Sequence, residues 1–403
     1  MCQVKVMREK NNLSLVILAG GEGSRLKKII GKKQKCITQI NKKPFLDYII
    51  NQYSKYNFKK IYILVGKSSE EVISLYHGKE FNFVKIECLA EKKLLGTAGA
   101  LFKLRNKIKD FILVNGDSIL DIELNKFFPL NKNFICKMSL VTNKNYLSNK
   151  KLSKLNIKKK IVINTDSEKG YMNGGVYLFN KNIFKYIKNK KTSLEEDVLP
   201  DLIKKKKVIG KIYKDNFFFD IGTKENYFKS EKLLQKHFNR PAVFLDRDGV
   251  INHDYGYVSK FKNVKFKEGV IKGLDFLIKK NYYIFLITNQ AGIAKKKLTL
   301  NEFKILQIQI KEYLSKKNIF FDSVSFCPHH KDGKIKKFTK NCKFRKPQIG
   351  MIKKLYKKWH IETKNSFFIG DQISDELCAN RSNLRFFYAK KNFYYQVKQI
   401  HNK

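Results

Sequence analysis

The sequence predicts an α/β protein with two sheet-containing domains, and three observations predict it. A chain of 403 residues is long for a single hydrophobic core. Short apolar, β-rich runs alternate with helical stretches, the rhythm of a largely parallel sheet covered by helices on both faces. The rhythm restarts after residue 240, and each half opens with a strand that runs into a glycine turn, "VILAGGEGSRL" (16–26) and "VFLDRDGVIN" (243–252).

In chain order, the first half is expected to form strands over 13–20, 60–66, 110–117 and 174–180, with a helix over 43–56. A lysine-rich amphipathic helix over 224–238 ends at Asn239, Arg240 and Pro241, and marks the boundary between domains 1–238 and 239–403. In the second half, strands are expected over 242–249, 282–290 and 366–372, with helices over 269–280 and 298–318. The halves share a rhythm but no motif, so neither is a repeat of the other.

The formal charge of +49, from 84 Lys and Arg against 35 Asp and Glu, raises the question of nucleic acid. Only 8 of those 84 are Arg, whereas bidentate phosphate and base contacts favour Arg. The lysines are spread through the chain among Asn, Ile, Phe and Tyr, as codons rich in A and T would supply, so no nucleic-acid partner is expected. No apolar run reaches the roughly 18 residues of a membrane span, and the first 12 residues lack a secretory hydrophobic block. A cytoplasmic protein with no membrane partner is expected, of unspecified oligomeric state. Seven scattered cysteines argue against a disulfide framework.

In the first half, Gly20, Gly21 and Gly23 sit where a strand turns into a helix. Glycines there let backbone N–H groups approach a triphosphate, and the helix N-terminus favours negative charge. Arg25 would clamp the phosphates, with Lys35 a short distance on. "LLGTAGAL" (94–101) offers a second glycine turn, while Asp117 and Asp220 end strands in "VNGDS" and "FFFDIGT". Two carboxylates at strand ends can hold Mg²⁺ between them.

The order G-G-x-G-S-R, Lys35, G-T-A-G, N-G-D, "NGGVY" (173–177) and "DIGT" resembles the sugar-1-phosphate nucleotidyltransferase family over residues 13 to about 230. The resemblance implies a Rossmann-like, GT-A-like sheet on which a sugar phosphate attacks the α-phosphorus of a nucleoside triphosphate and pyrophosphate leaves. It further implies that Arg25 and Lys35 stabilise phosphate charge and that Asp117 and Asp220 bind Mg²⁺. The nucleotide and sugar would be held around Ala19, Gly20, Gly21, Gly23, Ser24, Gly96, Thr97, Asn115, Asn173 and Gly174. Two positions depart from the family: Ser24 stands for the usual threonine, and Gln34 for a common proline.

In the second half, Asp246 and Asp248 lie two residues apart at a strand end, suited to a nucleophile and a general acid. "FFIGDQISD" (367–375) adds Asp371, with Asp375 close behind. Asp246, Asp248 and Asp371 are the expected Mg²⁺ set. Thr288 can donate to phosphoryl oxygens, and Lys346 can balance developing charge.

These signals resemble the haloacid dehalogenase superfamily. "DRDGVINHDYGYV" (246–258), "TNQAGIA" (288–294), "CPHH" (327–330) and "RKPQIGM" (345–351) resemble its heptose bisphosphate phosphatases and their histidinol-phosphatase relatives. That resemblance covers 241 to about 390 and implies a second Rossmann-like sheet with little or no cap, with Asn289 and Arg345 also binding substrate. Relatives carry a zinc loop of the form C-x-H then C-x-C. Here Cys327, His329 and Cys342 are present, but Phe344 takes the fourth position, where a structural zinc normally has four ligands. Zinc is left open, with His330 or Cys378 as alternative fourth ligands. Gln372 stands where relatives often have lysine.

A phosphatase acting on a sugar bisphosphate yields the sugar 1-phosphate that a nucleotidyltransferase consumes. The two resemblances therefore imply consecutive steps toward a nucleotide-activated heptose, with GTP or another nucleoside triphosphate as co-substrate. The alternatives are the same folds acting on mannose or glucose 1-phosphate, a histidinol-phosphate phosphatase in the second half, and, from a different class, a basic nucleic-acid scaffold with idle enzyme sites.

Overall fold

The computed structural model describes residues 13–21, 26–31, 34–66, 69–91, 93–142, 154–165 and 170–402. The chain divides into two compact units, Met1–Gln52 with Phe58–Lys232, and Tyr53–Asn57 with Leu233–Lys403.

The first unit contains strands β1 (Ser14–Leu18), β2 (Gln39–Ile40), β3 (Lys43–Pro44), β4 (Ile61–Val65), β5 (Glu80–Phe81), β6 (Val84–Ala90) and β7 (Phe111–Asn115). These are followed by β8 (Ser118–Leu120), β9 (Cys136–Val141), β10 (Leu155–Lys158), β11 (Ile161–Asn164), β12 (Met172–Phe179), β13 (Val208–Tyr213) and β14 (Phe218–Asp220). Its helices are α1 (Lys27–Ile30), α2 (Phe45–Ser54), α3 (Glu70–Tyr76), α4 (Gly96–Leu101) and α5 (Leu199–Lys204). Helix α6 (Lys224–Phe238) contains the division between the units.

Ten strands form one sheet in the order β10-β11-β13-β9-β12-β7-β1-β4-β6-β5. The block β7-β1-β4-β6 is parallel; β1, β4 and β7 are almost entirely apolar and buried, as a sheet covered on both faces requires, whereas β6 alternates buried with more exposed residues. Strand β12, with the "GGVYLF" run, lies antiparallel between β7 and β9. In the parallel block Leu18 pairs with both Leu64 and Asn115. The carboxyl ends of β1, β4 and β7 therefore lie together, the edge at which open α/β sheets bind ligands.

The second unit carries β15 (Arg240–Leu245), β16 (Tyr283–Asn289), β17 (Ser323–Cys327), β18 (Ile361–Gly370) and β19 (Arg385–Tyr388). They form an all-parallel sheet in the order β17-β16-β15-β18-β19. Its helices are α7 (Val270–Lys279), α8 (Ala291–Ala294), α9 (Leu300–Ser315), α10 (Gly350–Lys358), α11 (Ile373–Asn380) and α12 (Phe393–His401). Side chains alternate across a strand, so Val243 and Leu245 of β15 enter one apolar cluster while Ala242 and Phe244 enter the other. Burial of each such large side chain contributes about 1.5–3 kcal/mol, and β15 is thereby clamped from both faces. Between β15 and β16 the regular elements are one 3-10 turn, Phe261–Asn263, and α7, in keeping with little or no cap. Helix α9 starts at a capping box, in which the Thr299 hydroxyl accepts from the Glu302 N–H and the Glu302 carboxylate accepts from the Thr299 N–H.

Candidate active sites

In the first unit, the carboxyl ends of β1 and β7 open on a cavity of about 390 Å³. Ala19, Gly20, Gly21, Lys35, Gly96, Thr97, Asn115 and Asp117, all expected from the sequence, line it. Gly96 is required there: its φ is +76°, and an added Cβ would lie 2.6 Å from the Thr192 carbonyl oxygen. Lys35 Nζ donates to Asp117 Oδ2 at 2.6 Å and lies 3.8 Å from Asp220 Oδ1. The two carboxylates expected to hold Mg²⁺ thus converge on one ammonium. They carry one negative charge more than it neutralises, and hard oxygen donors of this kind fit Mg²⁺.

Two expected binding residues lie elsewhere. Asn173 and Gly174 are not among the cavity's lining residues. Asn173 folds back on its own strand, its carboxamide donating to the Tyr177 hydroxyl and accepting from the Gly175 N–H. Gly174 faces the Ser139 hydroxyl, which a Cβ would approach to 2.7 Å. These positions shape the bulge in the β12–β9 register. Gly23, Ser24 and Arg25 lie outside the described residues.

Three charged lining residues had no role in the sequence reading: Glu91, Lys191 and Glu195. Glu195 stands at the first turn of a π-helical segment, Leu194–Val198, capped by the Ser193 hydroxyl accepting from the Glu196 N–H. The Thr97 hydroxyl donates to Glu195 Oε2 at 2.9 Å and accepts from the Leu194 N–H at 2.7 Å. Glu195 is exposed to solvent. Desolvation raises its carboxyl above the ordinary value, with the Thr97 hydrogen bond opposing. No local pattern announces Glu195, because Thr97 lies 98 residues away.

In the second unit, Asp246 follows the end of β15 and is buried. Lys346 Nζ donates to Asp246 Oδ1 at 2.6 Å and to the Ile287 carbonyl at 2.9 Å, and lies 2.6 Å from Asp375 Oδ1. One cation cannot neutralise two buried carboxylates. Burial, with the neighbouring Asp375 and Asp248 charges, pushes Asp246 up to about 7 against the pull of Lys346. Burial also works against the Lys346 charge, but the two carboxylates outweigh it and hold the ammonium above its ordinary value. Asp371 is raised by burial, with a hydrogen bond from Gln372 opposing.

The carboxylates that converge differ from the expected metal set Asp246, Asp248, Asp371. They are Asp246, Asp371 and Asp375, with ligand atoms within 4.8 Å of one another. Asp371 Oδ1 is buried without a hydrogen-bond partner among the described residues. An excess of buried negative charge and an orphaned oxygen fit a divalent cation such as Mg²⁺. Gly249, with φ +78°, lets the turn pass against the Asp371 carboxylate, where a Cβ would collide.

The Asp248 carboxylate turns the other way. Arg247 binds it through Nε at 3.0 Å and Nη2 at 2.6 Å, Asn252 donates at 2.9 Å and Gln290 at 3.1 Å. Burial pushes Asp248 up, but the Arg247 charge and these hydrogen bonds outweigh it and hold the carboxyl below its ordinary value. The sequence reading gave Arg247, Asn252 and Gln290 no role, although Arg247 sits between the two aspartates. The Thr288 hydroxyl is buried and accepts from Gln290 at 2.9 Å. Asn289 does not face the carboxylates: its carboxamide brackets the Lys346 backbone, donating to the carbonyl and accepting from the N–H, both at 3.0 Å. Arg345 donates to the His329 carbonyl at 3.2 Å.

Cys327, His329 and Cys342 also converge, with Cys327 Sγ 3.6 Å from His329 Nδ1, near the edge of about 3.5 Å that tetrahedral Zn²⁺ ligands would span. Among the described residues the fourth corner is lacking. Phe344 packs against the apolar cluster around Phe244, Cys378 donates to the Gln348 carbonyl, and His330 accepts from the Asp332 N–H. Burial pushes Cys327 up to about 12, so its thiol is neutral without a metal. These residues do not complete a four-ligand structural site.

The family model described as nucleotidyl transferase matches residues 14–144 and 164–237. One described as polynucleotide kinase 3 phosphatase matches 248–398. The D-glycero-beta-D-manno-heptose-1,7-bisphosphate 7-phosphatase of Yersinia pestis is 37% identical over 144 residues, 36% of this chain and 77% of that protein. The protein of the same description from Haemophilus influenzae is 39% identical over 134 residues, 33% of this chain and 72% of that one. Among solved structures, HddC from Yersinia pseudotuberculosis complexed with GMP-PN aligns at a TM-score of 0.47 and 24% identity, over 55% of this chain and 99% of that one. Described residues contain no helix long and apolar enough to cross a membrane. Two sites on two sheets, with the matching family model and the phosphatase relatives, make the chain an enzyme that belongs to the nucleotidyl transferase family through its first unit and to that of the D-glycero-beta-D-manno-heptose-1,7-bisphosphate 7-phosphatases through its second.

Proposed function

We propose that the chain catalyses two consecutive steps toward a nucleotide-activated heptose. The second unit removes the 7-phosphate of D-glycero-D-manno-heptose 1,7-bisphosphate. The first then transfers a nucleotidyl group, GMP from GTP, to heptose 1-phosphate and releases pyrophosphate. The observation that carries this reading is that one chain joins a nucleotide-sized cavity to a phosphatase site related to heptose bisphosphate phosphatases. The product class of one is the substrate class of the other.

In the phosphatase step the Asp246 carboxylate attacks phosphorus, the alkoxide leaves, and water later hydrolyses the aspartyl-phosphate. Lys346 balances charge at the attacked group and Thr288 donates to it. Asp248, ionised and bound by Arg247, is in the form that activates water in the second half-reaction, and delivering a proton to the leaving alkoxide requires its release from Arg247. A divalent cation held by Asp246, Asp371 and Asp375 would neutralise phosphate and carboxylate charge. In the transfer step Lys35 and Arg25 stabilise phosphate charge, and Asp117 with Asp220 would hold Mg²⁺. Phosphatase action comes first, because the product of the phosphatase, a sugar 1-phosphate, is the substrate class of the transferase.

Mass spectrometry of products formed from heptose 1,7-bisphosphate with each of the four nucleoside triphosphates tests the reading. GDP-heptose is expected. A nucleotide heptose that retains the 7-phosphate would reverse the order, and turnover of mannose or glucose 1-phosphate in preference would replace the sugar.

A further inference from the structure

Thr97 lines the nucleotidyltransferase cavity, yet its only proton goes to Glu195 and its oxygen already accepts from the Leu194 N–H. A hydroxyl has one donor and two acceptor sites, so Thr97 has little capacity left for a ligand. What it does is orient a carboxylate. Glu195 has about four acceptor sites, Thr97 fills one of them, and the residue lines the same cavity. The rigid π-helical turn and its Ser193 cap fix the backbone from which Glu195 projects.

A carboxylate at this position discriminates by chemistry. It accepts hydrogen bonds from hydroxyl groups, and charge-assisted bonds are stronger than neutral ones. It repels a phosphate brought to the same spot, less strongly than a buried charge would because water reaches it. The cavity's phosphate-binding capacity lies at Gly20, Gly21 and Lys35, and Lys191 is a further cation in its lining. Electrostatic influence of Glu195 on the buried Tyr177 and influence of Asp117 on Glu195 set the carboxylate among β12, α4 and β7.

We propose that Glu195 is a specificity-determining residue of the transferase: it accepts hydrogen bonds from the hydroxyls of the acceptor sugar and rejects a sugar phosphorylated at that end, with Thr97 as its positioning residue. The inference rests on the reading of the first unit as a sugar-1-phosphate nucleotidyltransferase. It supplies a physical cause for the order of the two steps, since the bisphosphate would meet like charge until its distal phosphate is removed.

The test uses the full chain with Asp246→Asn as reference, so that the bisphosphate survives, and the same chain with Glu195→Gln added. Pyrophosphate release is measured with heptose 1-phosphate, with heptose 1,7-bisphosphate, and with varied GTP. Glu195→Gln should raise KM for heptose 1-phosphate about ten- to hundredfold, the range for a lost charged hydrogen bond, with little change in KM for GTP. The preference for the monophosphate over the bisphosphate should fall at least about tenfold, because the amide removes the like charge. Thr97→Val should raise the sugar KM while keeping the preference, since the charge remains, and Thr97→Ser should restore the KM. An unchanged preference in Glu195→Gln, or an effect confined to KM for GTP, overturns the inference. If the reference protein rejects heptose 1-phosphate but uses a hexose 1-phosphate, the heptose reading fails instead. The same comparison on that hexose 1-phosphate and its 6-phosphorylated form then decides the role of Glu195.

Discussion

Each unit sets one lysine between two aspartates, and the two clusters differ chiefly in burial. In the first, the side chains of Lys35, Asp117 and Asp220 are 13%, 40% and 30% exposed. In the second, Lys346, Asp246 and Asp375 are 2%, 10% and 1% exposed. The same charges therefore have different work. Water screens the open cluster, so its ion pairs add little stability and can exchange for a ligand's charges. The buried cluster has no such screen. Each charge there depends on the others, Asp246 is driven toward neutrality, and a third carboxylate, Asp371, adds a demand that only another cation meets.

The largest effect expected from this comparison is chemical separability. Asp246→Asn removes the attacking charge with little change of shape, and phosphate release should fall at least about a thousandfold while pyrophosphate release from heptose 1-phosphate persists. Asp117→Asn should do the reverse. Paired assays check this, and loss of both activities in either variant would break the idea of two independent sites.

Next comes stability. Lys346→Ala strands two buried carboxylates and should cost about 3–5 kcal/mol, whereas Lys35→Ala leaves partly exposed ones and should cost no more than about 1 kcal/mol. Denaturant unfolding monitored on the second and first units respectively measures both, and equal costs would mean that burial does not govern the difference.

A pH dependence sharpens the contrast further. The Asp246 carboxyl moves from 3.8 to about 7 on folding, and Asp371 is raised as well. A raised acid stabilises the fold fully below its unfolded pKa and loses that contribution as pH rises through the folded one. Without Mg²⁺, the second unit should lose on the order of 4 kcal/mol between pH 4 and pH 8. Because the cation favours the ionised carboxylates, its stabilising shift should be larger at pH 8 than at pH 5.5. Thermal melts with and without Mg²⁺ at both pH values give the answer, and an equal shift at the two would contradict it.

The smallest effect concerns the thiol and imidazole group, where no excess of buried charge calls for an ion. A strong zinc chelator should shift the melting midpoint of the native chain by less than about 2 °C, whereas Phe344→Cys should complete the tetrahedron and make the midpoint zinc-dependent. Chelator sensitivity of the unaltered protein would show that three ligands suffice.

The sequence by itself determined the two α/β units, the strand ends at Asp117, Asp220, Asp246 and Asp371, and the glycine turns, because each is written in a few neighbouring residues: a β-rich run, a turn signal and a polar group at its end. It also brought Lys35 and Lys346 to notice, since each lies in a short motif. Which side chains meet was decided by tertiary structure alone. Asp375 converges with Asp246 and Asp371, while Arg247, Asn252 and Gln290 bind the Asp248 carboxylate. Asn173 binds the Tyr177 hydroxyl and the Gly175 N–H, Gly174 packs against the Ser139 side chain, and Asn289 brackets the Lys346 backbone. Glu195 reaches Thr97 across 98 residues of chain. Such pairings depend on how strands register and on which charges are left without water, and neither quantity is a property of any local stretch of sequence.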